Sequence, residues 1–148
     1  MPQELLDKLD YGDSTRRNQP FLQDTAKIAF VAEIKGPHDC QIIGFAMGGH
    51  RREGPSEYTG ELYGIYVLEK YQRSGVGLRL LKRIAQSLYG GVHRSMLVWV
   101  LKGNRAVGFY EKLGGVVVDE KDLNLGGKNL RELAFGWRNL EGLANQLS

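Results

Sequence analysis

The chain has 148 residues, 42 % of them apolar and 25 % charged, with a formal net charge of +3. That length suits one domain burying roughly 70 % of the surface its unfolded form exposes, and the apolar content excludes a fully disordered chain. Lone Cys40 excludes an intramolecular disulfide framework and a Cys-rich zinc module; no run reaches the roughly 20 apolar residues of a membrane span. With no signal-peptide pattern in the first ten residues, the expected location is cytoplasmic.

Residues 1–24 are polar, with a short helical pattern at Leu5, Leu6 and Leu9. From Thr25 the period changes to that of a hairpin: a strand over 26–34, a turn at Gly36-Pro37 and a second arm over 41–48. Residues 51–56 form a polar turn with Gly54 and Pro55. The next segment, 57–68, is apolar at odd and even positions alike (Leu62, Tyr63, Ile65, Tyr66, Val67), as is 95–101. Strands apolar on both faces belong in the middle of a covered sheet. Between them, 75–89 predicts the strongest helix, with Val76, Leu80, Ile84 and Leu88 at i, i+4 spacing and Gly90-Gly91 as its stop. A short helix over 104–113 follows, then Gly114-Gly115, a strand opening at 116–118, a turn at Gly126-Gly127, a last strand over 130–137 and a short C-terminal helix. Hairpin strands first and β-α-β-α-β later predict a mixed-sheet α/β domain.

The most informative run joins the first two-faced strand to the main helix. Residues 69–83 hold five basic residues (Lys70, Arg73, Arg79, Lys82, Arg83) against Glu69, a local charge of +4. Gly75 and Gly77 lie at the helix N-terminus, where free N–H groups and the helix dipole favour an anion and Arg73 can add a charge-assisted bond. A compact basic cluster with glycines inside it points to a small anionic ligand more than to a nucleic-acid track, although the pI of about 9 keeps the latter as a rival class. No Gly-Lys-Ser/Thr follows, so this is not a P-loop, and Leu80 stands where a dinucleotide fingerprint needs its third glycine.

Gln72-Arg73-Ser74-Gly75-Val76-Gly77 resembles the pyrophosphate-binding motif of the GCN5-related N-acetyltransferases, Gln/Arg-x-x-Gly-x-Gly/Ala. Asn104-Arg-Ala-Val-Gly-Phe109-Tyr110-Glu-Lys-Leu-Gly-Gly115 resembles that family's Asn-x-x-Ala-x-x-Phe-Tyr-x-x-x-Gly, with one residue fewer between the Asn and the Ala. The resemblance covers about residues 26–137. It implies the acyl-CoA N-acyltransferase fold, with two splayed central strands, acetyl-CoA as cosubstrate, no metal and an amine acceptor. It further implies that the backbone of Tyr66, Val67 and Leu68 bonds the pantetheine amides, and that Gln72 to Gly77 hold the pyrophosphate through N–H groups. Asn104 is implied to touch the pantetheine arm, although Asn is equally at home as a helix N-cap.

Tyr110 is implied as the general acid toward the departing thiolate; an ordinary packed aromatic is the plainer alternative. At reference values, a Tyr near 10 protonating a thiol near 8.5 runs uphill by roughly 2 kcal/mol, which an enzyme tolerates. Glu61 is the candidate base, acting through water, with Glu57 the nearby alternative and a solvent-facing strand-end charge the plainer one. The reading expected is an N-acetyltransferase using direct amine attack, or else a non-catalytic acyl-CoA-binding module of the same fold. His38, His50 and His93 show no ligand spacing, and Cys40 has no catalytic partner. Relative to the family pattern, the first strand and helix are expected to be missing from a single, N-terminally shortened domain over 1–148. The sheet edge left open would invite pairing with another chain, hence an expected homodimer.

Overall fold

The computed structural model describes residues 9–13 and 27–146. Seven strands form one sheet: β1 (Leu9–Asp13), β2 (Ile28–Lys35), β3 (Cys40–His50), β4 (Gly60–Val67), β5 (Met96–Leu101), β6 (Val116–Leu125) and β7 (Lys128–Trp137). Their spatial order is β1-β2-β3-β4-β5-β7-β6. All neighbours are antiparallel except β4 and β5, which run parallel and are joined by helix α1 (Val76–Gly90). Helix α2 (Ala106–Lys112) links β5 to β6, and α3 (Leu140–Gln146) follows β7 and packs on α1. This is the mixed α/β architecture expected from the sequence.

Helix α1 forms where its period predicts it. Val76, Leu80, Leu81, Ile84, Ala85 and Leu88 make one stripe, all buried against Ile43, Ala46, Leu62, Met96 and Val98 of the sheet. Its start is set by Gly75, whose φ of 90° is left-handed and turns the chain from the strand into the helix. Its end is set at Gly91, whose N–H reaches the carbonyls of Ser87 and Leu88 at 3.2 Å each.

Three elements differ from expectation. Leu9, assigned to a helical pattern, opens β1, which pairs with β2 from Leu9↔Ile34 to Asp13↔Phe30; Leu5 and Leu6 lie outside the described residues. The edge of β2 is therefore paired within the chain, which removes the open-edge argument for dimerisation. Strand β6 runs ten residues, far beyond 116–118. Its Asp119-Glu-Lys-Asp stretch carries no apolar signal because it is a solvent-facing edge, pinned by Arg131 of β7 to Glu120 (2.7 Å) and Asp122 (2.8 Å). The Gly126-Gly127 turn, both residues at positive φ, matches the twist of this hairpin. Strand β4 begins at Gly60, because residues 55–58 close a turn, Tyr58 N–H to Pro55 carbonyl, 3.1 Å.

The register of the central strands shapes everything that follows. Between Met47↔Gly64 and Gly48↔Leu62, Tyr63 is an extra residue on β4, a bulge that bends the strand. Strands β4 and β5 pair at only three positions, Gly60↔Met96, Glu61↔Leu97 and Leu62↔Val98, and then diverge. Among the described residues, no helix is long and apolar enough to cross a membrane.

Gly48 lies where β3 meets the bulge. A Cβ there would stand 2.7 Å from the Glu61 carbonyl oxygen and 3.2 Å from Ile84 Cγ2, and backbone cannot retreat cheaply. Gly48→Ala is expected to destabilise the fold by about 1–3 kcal/mol, read as a lower urea midpoint with an unchanged slope.

Candidate functional site

Beyond Leu62↔Val98 the divergence of β4 from β5 opens a cleft of about 730 Å³. Its β4 wall carries unpaired peptide groups. Leu68 N–H bonds the Ile43 carbonyl on the β3 side at 2.8 Å, so the strand's alternation turns the polar groups of Val67 the other way, into the cleft. The Val67 carbonyl accepts a hydrogen bond from Gln72 Nε2 at 3.0 Å. The floor of the cleft is the turn into α1. Here Arg73, with φ 63°, and Gly75 are both left-handed, a curl that converges successive N–H groups on the helix N-terminus. First-turn N–H groups of a helix have no intrahelical acceptor, the dipole adds positive potential, and Arg73 adds a full charge. The lower cleft is chemically an anion site.

The structure brings together Val67, Gln72, Arg73, Gly75, Gly77, Asn104 and Tyr110, all of which line this cleft. It does not bring in the side chains of the other four cofactor candidates. Tyr66 is 54 % exposed and stacks on Phe45 at 5.8 Å; Leu68 packs against the core. The Ser74 hydroxyl donates to the Tyr71 carbonyl, and Val76, the first residue of α1, is fully buried on the face of the helix that meets the sheet. These four can offer only backbone. Ile65, Leu78, Arg105, Ala106 and Phe109 also line the cleft and were not singled out from the sequence. Arg105 adjoins Asn104 and Phe109 adjoins Tyr110, so the second motif held the available signal.

Asn104 is a helix cap: its Oδ1 accepts the Ala106 N–H at 2.8 Å. Because the cap uses Oδ1, its amide nitrogen is the group left to meet a ligand in the cleft. Tyr110 is 5 % exposed, set between Phe109 (5.4 Å between ring centroids), Phe135 and Trp137 (6.0 Å each). Loss of hydration in this aromatic nest pushes its phenol up to about 12. It is therefore a proton-bearing hydroxyl throughout the physiological range.

Glu61 stands beside the apex of the cleft but on the opposite face of the sheet. Leu62 belongs to the core under α1, so its strand neighbour Glu61 points away from that core, alongside Leu97. Loop 51–56 folds over this face. Arg52 clamps the Glu61 carboxylate with its backbone N–H (2.8 Å), Nε (3.2 Å) and Nη2 (2.7 Å), leaving Glu61 1 % exposed. Trp99 Nε1 donates to the Glu53 carbonyl at 3.1 Å, and Lys121 pairs with Glu53 and with Glu132. Glu57, the alternative base, is exposed, with its carboxylate 4.0 Å from Arg138. His50 and His93 meet edge-on at 4.8 Å, with His93 Nδ1 on Thr59 Oγ1 at 2.8 Å, but the described residues hold no cluster of three metal-ligating side chains.

The sequence profile of the acetyltransferase (GNAT) family matches residues 2–115. The chain is 34 % identical, over its full length and 82 % of the relative's, to the uncharacterized N-acetyltransferase YuaI of Bacillus subtilis (strain 168). Its fold superposes on that of an N-acetyltransferase from Staphylococcus aureus Mu50, with a TM-score of 0.68, 21 % identity, and coverage of 82 % of this chain and 73 % of that one. It superposes likewise on Arabidopsis thaliana NAA60 in complex with acetyl-CoA, with a TM-score of 0.66, 14 % identity, and coverage of 87 % and 97 %. At those identities the likeness to the two solved structures concerns the fold.

The nest around Tyr110 has a consequence for alkaline stability. A folded-state value near 12 against about 10 when unfolded means the stabilisation is complete below pH 10 and lost as pH rises through 12. The shift amounts to about 3 kcal/mol across that window. In Tyr110→Phe the alkaline decline, measured by urea unfolding between pH 9 and 12, is expected to be shallower by up to that amount.

Proposed function

The chain belongs to the acetyltransferase (GNAT) family, and from that premise we propose that it is a single-domain N-acetyltransferase moving the acetyl group of acetyl-CoA to a primary amine by direct attack. The observation that carries the reading is the three-pair limit on β4 and β5, which opens a cleft directly above the amide-lined turn at Gly75 and Gly77. The donor set suits coenzyme A. The N-terminus of α1 with Arg73 fits a diphosphate, and the stretch of β4 from Tyr63 to Val67 that is unpaired on the β5 side, roughly 16 Å long, fits an extended arm that carries amides. Gln72, Arg73, Ser74, Gly75, Val76 and Gly77 are proposed to hold the diphosphate, and the backbone of Tyr66, Val67 and Leu68, with Asn104, the arm. Tyr66 and Leu68 contribute least, since the strand's alternation turns their polar groups toward β3, where the Leu68 N–H already bonds Ile43.

The acetyl group then lies at the apex, between Tyr110 on the α1 face and Glu61 on the other. The amine nitrogen attacks the carbonyl carbon, the C–S bond breaks, and the thiolate leaves toward Tyr110, which donates its proton. Full transfer from a phenol near 12 to a thiol at its reference value of about 8.5 would be uphill by about 5 kcal/mol. The desolvation that raises the phenol also raises the thiol in the same nest, so the two move toward balance. Glu61 receives the ammonium proton through a water. A second reading, a non-catalytic acyl-CoA-binding module, is favoured by one fact: three donors from Arg52 occupy the Glu61 carboxylate. Cytoplasmic location, a homodimer, and the absence of metal or nucleic-acid partners belong with the proposal; sedimentation measures the oligomer.

Acetyl-CoA and coenzyme A, but not NAD, are expected to raise the melting temperature, and thiol release is expected with some member of a primary-amine panel. No shift with acetyl-CoA overturns the proposal; a shift without turnover establishes the second reading. Tyr110→Phe is expected to lower kcat by about 10²-fold with little change in acetyl-CoA affinity, and Glu61→Gln to lower kcat/KM by a similar factor.

A further inference from the structure

Among the described residues, Glu61 is the charged side chain that the sheet buries almost completely beside the cleft apex, and its charge is met by a side chain that is itself largely in water. Arg52 is 59 % exposed while Glu61 is 1 % exposed. Both bonds to Glu61 Oε2 come from the exposed guanidinium of Arg52, Nε at 3.2 Å and Nη2 at 2.7 Å, whereas Oε1 is held by the Arg52 backbone N–H at 2.8 Å. If the side chain swings into solvent, Oε1 keeps its bond and Oε2 faces the space the guanidinium held. That space has a second wall suited to a cation. The guanidinium carbon lies 4.1 Å from the centroid of Tyr63, whose hydroxyl is anchored to the His50 carbonyl at 2.7 Å. Glu132 adds negative potential at the guanidinium, although Lys121, 3.5 Å from Glu132, offsets part of it. A buried carboxylate does not stay unpaired, so whatever displaces Arg52 must bring a positive charge.

We propose that Glu61 and the ring face of Tyr63 form a subsite for the ammonium head of a primary alkylamine acceptor, and that Arg52 is its resident occupant, displaced when the acceptor binds. This rests on the acetyltransferase reading and deepens it: the acceptor arrives as a cation, its ammonium takes the place of the guanidinium, and Glu61, which binds it, takes the proton that must leave before the nitrogen attacks and passes it to solvent water, ready for the proton of the adduct. The pairing also selects against neutral and anionic acceptors, since neither can replace the charge that Arg52 withdraws. A site that its own occupant fills nine-tenths of the time shows a competing ligand at about one-tenth of its intrinsic affinity.

The test is calorimetric titration of n-butylammonium and ethylguanidinium into protein saturated with coenzyme A, where no acetyl group is present to transfer. Arg52→Ala, and Arg52→Gln as a less disruptive variant, are expected to bind both probes roughly tenfold more tightly than the unaltered protein. Neutral n-butanol is expected to show no gain, and Arg52→Ala with Glu61→Gln is expected to lose it. Equal or weaker probe binding in both Arg52 variants overturns the subsite, as does a gain that survives Glu61→Gln or extends to n-butanol. If Arg52→Ala fails to fold, Arg52→Gln decides by the same criteria. Coenzyme A affinity, obtained when the complex is formed, reports separately on the parent reading. Its absence in the unaltered protein removes that reading, whereas intact coenzyme A binding without a gain removes the subsite alone.

Discussion

The architecture depends on a pairing that stops. Strands β4 and β5 share three register positions and then part, although both continue, β4 for five more residues and β5 for three. Unpaired backbone inside a fold is costly, so the separation must be held open by something stronger than the bonds forgone. Two packing features hold it. The bulge at Tyr63 bends β4 away, and α2 presents Phe109 and Tyr110 into the gap, with Tyr110 fixed against Phe135 and Trp137. The strand's polar groups are partly served by Gln72, which reaches back to the Val67 carbonyl. A side-chain amide is an apt placeholder there, because it offers the same donor chemistry as an amide-bearing ligand.

The same opening divides the electrostatics. Below it, the start of α1 gathers positive potential from N–H groups, the helix dipole and Arg73, without a buried countercharge among the cleft-lining residues. On the far face, loop 51–56 is laced down by Arg52 to Glu61, Trp99 to Glu53 and Lys121 to Glu53 and Glu132. One face thus attracts anions and the other is built around buried or half-buried carboxylates. A reaction joining an anionic donor to a cationic acceptor would draw its partners from opposite sides of the sheet, meeting where the strands part.

Legibility followed from how local each signal was. The α1 stripe, the left-handed glycine before it and the two-faced strands on either side are all short-range patterns, and each was readable from neighbours within a few residues. The capping role of Asn104 was readable too, from its position at the start of a short helix. Strand β6 was not, because an edge that faces water and balances its charges against Arg131 leaves no apolar period to detect. Nor was the clamp on Glu61: Arg52 reads as part of a polar turn until the loop is folded onto the sheet.

What the order of residues alone determined was therefore the glycine-rich turn, the helix it starts, the Asn104–Tyr110 segment and the mixed α/β class, since each is dictated by backbone freedom or side-chain period within one element. What only the tertiary structure decided was which of those residues share a cavity and in what condition. Ser74 and Val76 turn inward while Gln72 and Arg73 face the cleft; Tyr110 loses its water; Glu61 acquires Arg52. The last two arise from packing between residues 9 apart in sequence for Glu61 with Arg52 and 25 to 27 apart for Tyr110 with Phe135 and Trp137, where burial and partner, not residue type, set the chemistry of a side chain.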